Sequence, residues 1–369
     1  MKILLLQHYE MDYNGAGITQ GLLRTPGIDV YEWPYVEHHH GGVDTGYELP
    51  GEGPIGVTAP TPFLYPIVPG IHRTYEEIFD HLSQFDWIVA HSTRRTVIES
   101  LYEIKKTLGH NPRNLILVCG EDHSILPIEV IGEFQPVVSF KRELLRLSSA
   151  FNPFRYSKVC QVWPLQFAAF TYAVDHVLAH ANTEEKNFDF FLSLGRTHQC
   201  RDILLSKCLD YVTHYNKYKF WIATNTNSPL VHSHPHGHLL QGITDWNSYM
   251  VRQAKSKVTC SIRGYGRDAL HAWEAFSSGT SVLYADPGLY IPHPFIDGKH
   301  CLYFQENSSD VEEKLDILLN DEGQRQFLAK SGKDHCYKHH SIYARVFYML
   351  DIATKIRQNE VITPEEFSL

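Results

Sequence analysis

The residues whose types and spacing best suit chemistry lie between 257 and 304, KVTCSIRGYGRDALHAWEAFSSGTSVLYADPGLYIPHPFIDGKHCLYF. Gly264 and Gly266 carry no Cβ and let the backbone pass close to a bound group. Asp268 is suited to N-cap a helix over 268–277, on which Ala269, Leu270, Trp273 and Phe276 recur at helical spacing and should face the core. Glu274 falls off that stripe, so its carboxylate can point into a cleft and accept hydrogen bonds from vicinal hydroxyls, such as the pair on a ribose. Arg263 and Arg267 flank the glycine loop as further candidates for anion binding. Asp286, Pro287 and Gly288 form the loop after the next strand, where backbone amides can meet a bound group.

A second set could move protons. His91 follows the apolar run DWIVA, and Glu121, Asp122 and His123 follow NLILVC in the segment GEDHS. Asp122, His123 and His91 are therefore the candidates for a general base. NGAG at 14–17 reads as a glycine loop after the first strand, short of a GxGxxG fingerprint. His38, His39 and His40 form a run, and His232, His234, His236 and His238 alternate. Pro235 and Gly237 break that alternation into a loop, and no cysteine or acid completes a ligand set, so no metal and no other cofactor is expected.

These residues need a scaffold, and the chain alternates strand-like and helix-like segments, the signature of α/β layers around largely parallel sheets. The first half predicts strands over 2–6, 86–90, 114–119 and 137–140, with helices over 16–23 and 96–108. Tyr31, Trp33 and Tyr35 alternate as on one face of a strand. A long insertion over 37–70 is rich in Gly, Pro and His. The second half predicts strands over 188–194, 220–223, 257–260 and 281–284, helices over 201–211 and 268–277, and helical material over 310–329 and 340–357. The composition shift over 167–187 marks a junction. The chain thus divides into a domain over 1–175, a second over 176–345, and a returning helix and tail over 346–369. Paired doubly wound units bind ligands at the C-terminal ends of their strands, in the cleft between them.

Bulk properties agree. At 369 residues the chain exceeds what one core usually supports. A net charge of -9 argues against a nonspecific nucleic-acid binder, which needs a basic face. The apolar run after Met1 is only a strand's length, and no run approaches the roughly 18 residues of a membrane span. Seven scattered cysteines without a CxxC pair read as reduced thiols, so a cytoplasmic location is expected.

WEAFSSGTSVLYAD resembles the E-A-x-x-x-G-x-x-V donor-site signature of GT-B glycosyltransferases. It is most similar to the group 1 domain of spore-maturation-type proteins, whose pattern continues into a PF-x-DGKH-x-x-Y-F stretch, here 294–304. The similarity runs over about 188–350, and SFKREL at 139–144 resembles the segment preceding the second domain in such proteins. The resemblance implies two Rossmann-like domains facing a central cleft, with a C-terminal helix crossing back to the first. It implies transfer of a sugar from a UDP- or GDP-sugar to an acceptor hydroxyl on a glycan, a metabolite or a modified nucleobase. On this footing Glu274 holds the donor ribose, while Arg196 and Arg201 match the place of basic diphosphate ligands. Retaining relatives carry a further glutamate eight residues before the ribose-binding one; that position here is Gly266. Its absence keeps open a non-catalytic nucleotide- or glycan-binding relative of these enzymes. A dinucleotide oxidoreductase is disfavoured by the lack of GxGxxG after the first strand.

Overall fold

Strands buried on both faces need helices on either side, and the apolar runs Lys2–Leu6, Trp87–His91 and Leu115–Cys119 are such strands. The computed structural model describes residues 1–10, 12–40, 68–146, 160–225 and 228–369. Its first sheet comprises β1 (Lys2–Leu6), β2 (Asp29–Trp33), β3 (Trp87–His91), β4 (Leu115–Cys119), β5 (Val138–Lys141) and β6 (Gln161–Pro164), in the order β2-β1-β3-β4-β5-β6. The second comprises β7 (Phe188–Leu194), β8 (Phe220–Thr224), β9 (Gln241–Gly242), β10 (Ser256–Ser261), β11 (Ser281–Ala285) and β12 (Leu302–Phe304), in the order β12-β11-β10-β7-β8-β9. All neighbouring strands in both sheets run parallel.

Helices α1 (Tyr13–Leu23), α2 (Tyr75–Phe79), α3 (Arg95–Leu108) and α4 (Ile128–Phe134) accompany the first sheet, and α5 (Thr171–Leu178) follows it. Helices α6 (Gln199–Tyr215), α7 (Leu230–Ser233), α8 (Trp246–Ala254), α9 (Leu270–Ser277), α10 (Val311–Asn320) and α11 (Glu322–His340) belong to the second half. The last, α12 (Ile342–Arg357), crosses back: Val346, Met349, Ile352 and Ala353 share one core with Ile3, Leu5, Ile116 and Phe140 of the first sheet. Gly21 permits that packing, because a Cβ there would lie 2.6 Å from Val346 Cγ2 and 3.0 Å from the Ile342 carbonyl. No helix among the described residues is long and apolar enough to cross a membrane.

Several local expectations need correction. NGAG is not a loop, since α1 begins at Tyr13 and Asp12 caps it, its Oδ1 accepting from Asn14 N at 2.8 Å. Asp268 does not cap α9, which starts at Leu270 after Ala269. The helical stretch over 310–329 breaks at Asp321, whose side chain accepts from Gln324 N and starts α11 anew. The junction over 167–187 contains α5, which packs against α8 and α9. Of the insertion over 37–70, residues 41–67 lie outside the described residues. His232–His238 fold as α7 and a short 3-10 turn, which removes the alternation of four imidazoles along one side.

Candidate functional site

The C-terminal ends of both sheets look into one cleft, where a pocket of about 440 Å³ is lined by Tyr13, Asp122 and Phe167 from the first half. The second half contributes Gly195, Thr197, Arg201, Trp246, Tyr249, Gly264, Gly266, His271 and Glu274. Glu274 stands on α9 with Trp273 and Phe276 buried behind it. Trp246 Nε1 donates to Glu274 Oε1 at 2.7 Å, and Tyr249 also bonds the carboxyl. Burial pushes the Glu274 carboxyl up to about 7, against the pull of those two donors.

Arg201 lies in the first turn of α6 and is 8% exposed. Its Nε donates to the Arg263 carbonyl at 2.9 Å and its Nη1 to the Gly195 carbonyl at 2.8 Å. Nη2 stands 3.5 Å from His271 Nδ1. Burial lowers the guanidinium to about 10, leaving it charged at neutral pH. No carboxylate among the described residues forms an ion pair with it. A buried cation without a counter-ion on a cleft wall is suited to an anionic ligand.

The glycine loop does two jobs. A Cβ on Gly264 would meet Thr197 Oγ1 at 2.8 Å and Arg201 Nη2 at 2.9 Å, so the glycine makes room for the arginine. A Cβ on Gly266 would meet Glu143 Oε1 at 2.6 Å and Asp122 Oδ1 at 2.8 Å. Here the two halves clasp. Glu143 accepts from Arg267 N at 2.9 Å and Asp268 N at 3.0 Å, while Arg142 Nη1 donates to the Asp268 carbonyl at 3.0 Å. Asp268 Oδ2 in turn accepts from Phe167 N at 2.6 Å, and its Oδ1 from Trp273 Nε1 at 2.9 Å. Burial raises the Asp268 carboxyl to about 6 in spite of Arg142.

Arg201, Glu274, Gly264 and Gly266 therefore meet in one pocket. Arg196 bonds Asp202 at 3.0 Å and lines an adjoining open trough of about 900 Å³ with His198, Lys207 and Tyr265. The remaining second-domain candidates lie beside the pocket and hold the protein together. Arg263 faces Glu306 at 3.7 Å, and Arg267 donates to the Pro287 carbonyl at 3.1 Å. Asp286 is ion-paired with Arg146, and Gly288 (φ +65) accepts from Arg146 N at 2.9 Å beside the Leu145–Leu289 bridge.

On the other wall Asp122 lines the pocket but is ion-paired with Arg142. His123 is exposed and is not part of the lining. His91 is buried deeper, beside His8 and Asp12. The sequence reading missed Trp246 and Tyr249. Their spacing of three within WNSYM put both on one helical face, and only the partner carboxylate from a distant segment gives that spacing meaning.

A family model described as glycosyl transferase-like matches residues 251–351, the stretch that contains α9 and Glu274. No curated protein matches the chain. Solved structures do. A glycosyltransferase from Rickettsia africae is 9% identical over 97% of this chain and 99% of its own, with a TM-score of 0.60. An Anabaena protein solved in complex with UDP-glucose is 10% identical over 96% and 100%, with a TM-score of 0.56. An α-glucosyltransferase in complex with UDP and a 13-mer DNA is 12% identical over 96% and 100%, with a TM-score of 0.57. Identities this low carry the fold alone, and the fold is the two-domain GT-B architecture.

Proposed function

We propose that the protein is a glycosyltransferase that moves a sugar from a nucleoside-diphosphate sugar to an acceptor hydroxyl. The observation that carries this reading is the buried Arg201, unpaired with any carboxylate among the described residues, in the same cleft pocket as Glu274. Arg201 binds the donor diphosphate and Glu274 accepts hydrogen bonds from the ribose hydroxyls. Arg196, from the adjoining trough, reaches the phosphates at the rim. A leaving diphosphate gains charge as the glycosidic bond breaks, and a preorganised guanidinium in a low-dielectric pocket stabilises that charge. Arg263, Arg267 and the Asp286–Gly288 loop support the donor wall from behind. Asp122, on the wall of the first domain, is the general base nearest the donor half, with His123 and His91 further from the pocket.

The donor is a UDP- or GDP-sugar, and the UDP complexes of two similar folds favour uracil. The acceptor is a glycan, a metabolite or a modified nucleobase; one similar fold was solved with DNA. The match of 294–304 supports membership of the spore-maturation-type group. Seven buried free thiols support a reducing, cytoplasmic setting. A second reading, a non-catalytic nucleotide- or glycan-binding relative, draws on Gly266, whose position has no room for the glutamate of retaining enzymes.

The test is a thermal-shift screen against UDP, GDP, CDP, ADP and their sugar conjugates. A ligand at ~100 times its Kd adds about 2.7 kcal/mol. One diphosphate standing out, with the effect lost in Glu274→Ala, supports the donor site. Silence across the panel removes it. A shift without any donor hydrolysis or transfer leaves the non-catalytic reading.

A further inference from the structure

A second cluster of chemically competent side chains lies in the first domain, away from Arg201 and Glu274. His8 follows β1, Asp12 caps α1, and His91 ends β3, so three elements bring their ends together. Asp12 divides its carboxylate: Oδ1 takes the Asn14 amide at 2.8 Å, and Oδ2 faces both imidazoles, 3.4 Å from His8 Nε2 and 3.5 Å from His91 Nε2. One ligand atom from each of the three residues can be chosen so that all lie within 4.8 Å of one another. Bonds of about 2.0–2.2 Å in tetrahedral array put neighbouring ligand atoms roughly 3.4 Å apart, which is the spacing on both Asp12 edges.

The surroundings favour an ion over a hydrogen-bond network. His91 is 1% exposed, and neither of its ring nitrogens has a hydrogen-bond partner. His8 is 3% exposed, and its Nε2 stands within hydrogen-bond reach of Asp12 Oδ2 at 3.4 Å. A buried imidazole left without partners is costly, whereas a lone pair on a metal is satisfied. Glycines frame His91: a Cβ on Gly15 would lie 2.9 Å from its Cε1, and one on Gly120 3.6 Å from its Nε2. Asp12 is the partly exposed member, with 21% of its side chain accessible, and leaves a way in.

We propose that His8, Asp12 and His91 form a three-ligand site for a divalent transition-metal ion of the zinc class, with a further coordination position open beside Asp12. Two imidazoles and one carboxylate are a borderline nitrogen-oxygen set that suits zinc, cobalt or nickel, and they offer too few oxygens for magnesium or calcium. Three protein ligands with an open position is the arrangement of metal sites that bind a water or a ligand hydroxyl. The site uses none of the donor-pocket residues and shares only His91 with the sugar-transfer reading, in which Asp122 is the base that lines the pocket.

The experiment is a Co²⁺ and Zn²⁺ titration of the full chain after stripping with chelator, read by calorimetry and by the visible absorption of four-coordinate Co²⁺. The expected result is one strong equivalent with a four-coordinate cobalt spectrum. His8→Ala and His91→Ala should weaken it beyond the roughly 10–100-fold that loss of an outer-shell partner brings. Asp12→Asn keeps a capping side chain and the fold, and should weaken binding as well if the alanine variants do not fold. The double variant His236→Ala/His238→Ala should bind as wild type does. No uptake by the folded wild type overturns the proposal. So does an octahedral cobalt spectrum, or uptake that survives Asp12→Asn and His91→Ala but disappears in the His236/His238 variant.

Discussion

Glu143 of the first domain accepts the backbone N–H of Asp268 of the second at 3.0 Å, and takes the neighbouring Arg267 N–H at 2.9 Å with its other oxygen. One buried carboxylate thus holds the glycine loop of one domain against the other. It sits 3.5 Å from Arg142, which donates to the Asp268 carbonyl in the opposite direction. Backbone and side chains of both domains are therefore fixed around the cleft pocket, and the loop that carries Gly264 and Gly266 is also the joint.

Removing the clasp should cost stability. Glu143→Ala breaks two hydrogen bonds to a charged acceptor, each worth about 1.5–3 kcal/mol, and leaves two amides and a buried arginine short of partners. The expected loss is about 3 kcal/mol in denaturant unfolding of the full chain. A change below about 0.5 kcal/mol, the range of inconsequential surface substitutions, would refute this role.

Gly266 stands where retaining glycosyltransferases of this resemblance carry a glutamate, which invites the variant Gly266→Glu. The structure argues that it will fail. Any Cβ there meets Glu143 Oε1 at 2.6 Å and Asp122 Oδ1 at 2.8 Å, and a third carboxylate adds like-charge repulsion. The variant should lower the melting temperature and open the domain seam to proteolysis without a gain in donor turnover. A stable variant with increased turnover would show that the position tolerates the missing acid.

Arg201 separates function from stability. Its charge is buried without a carboxylate, so Arg201→Met removes a desolvation penalty while losing bonds to the Gly195 and Arg263 carbonyls. These effects offset, and the free protein should change by no more than about 1 kcal/mol. Affinity for a nucleoside diphosphate should fall at least roughly 10-fold, the equivalent of one charge-assisted bond. Calorimetric titration of both forms with UDP and GDP measures it. Undiminished binding in a folded variant would remove Arg201 from the diphosphate site.

Much of the scaffold was legible because strand and helix periods alternate strongly: β1 and β7 coincide with their expected ranges. Glu274 could be singled out because Trp273 and Phe276 fixed the buried face of its helix. The elements that escaped carry weak local signals. β6 is four residues ending in proline, β9 is two residues, and α8 begins with Trp, Asn, Ser and Tyr, which are indifferent helix formers. Asp268 misled for a different reason. An aspartate before a helix reads as a cap, but the amide that claims it belongs to Phe167, 101 residues away, and only the domain interface brings them together. Asp286 and Gly288 followed the same course, both engaged across the seam by Arg146, while the Arg267 guanidinium turns to the Pro287 carbonyl within its own half, competitions that no spacing rule encodes. His8 and Asp12 were passed over because their partner His91 lies some eighty residues away in sequence.

Glu274 should make stability depend on pH in a defined window. Its ordinary value is 4.5 and burial raises it to about 7, so between those limits the folded chain holds a proton that the unfolded chain has released. The favourable contribution is complete below pH 4.5 and is lost as pH rises through 7. Asp268 acts in the same sense from 3.8 to about 6, so the wild-type curve alone does not isolate Glu274. Comparison with Glu274→Gln does. The amide keeps an oxygen to accept from Trp246 and cannot ionise. The variant should match the wild type below pH 4.5, gain on it steadily towards pH 7, and hold a constant lead on the order of 2 kcal/mol above that, less than full burial would give because the pocket admits water. Urea unfolding of both proteins at intervals from pH 4 to 9 provides the measurement. A lead that is flat across the range would mean that Glu274 titrates alike in the folded and unfolded chains, as an ordinary solvated carboxylate does.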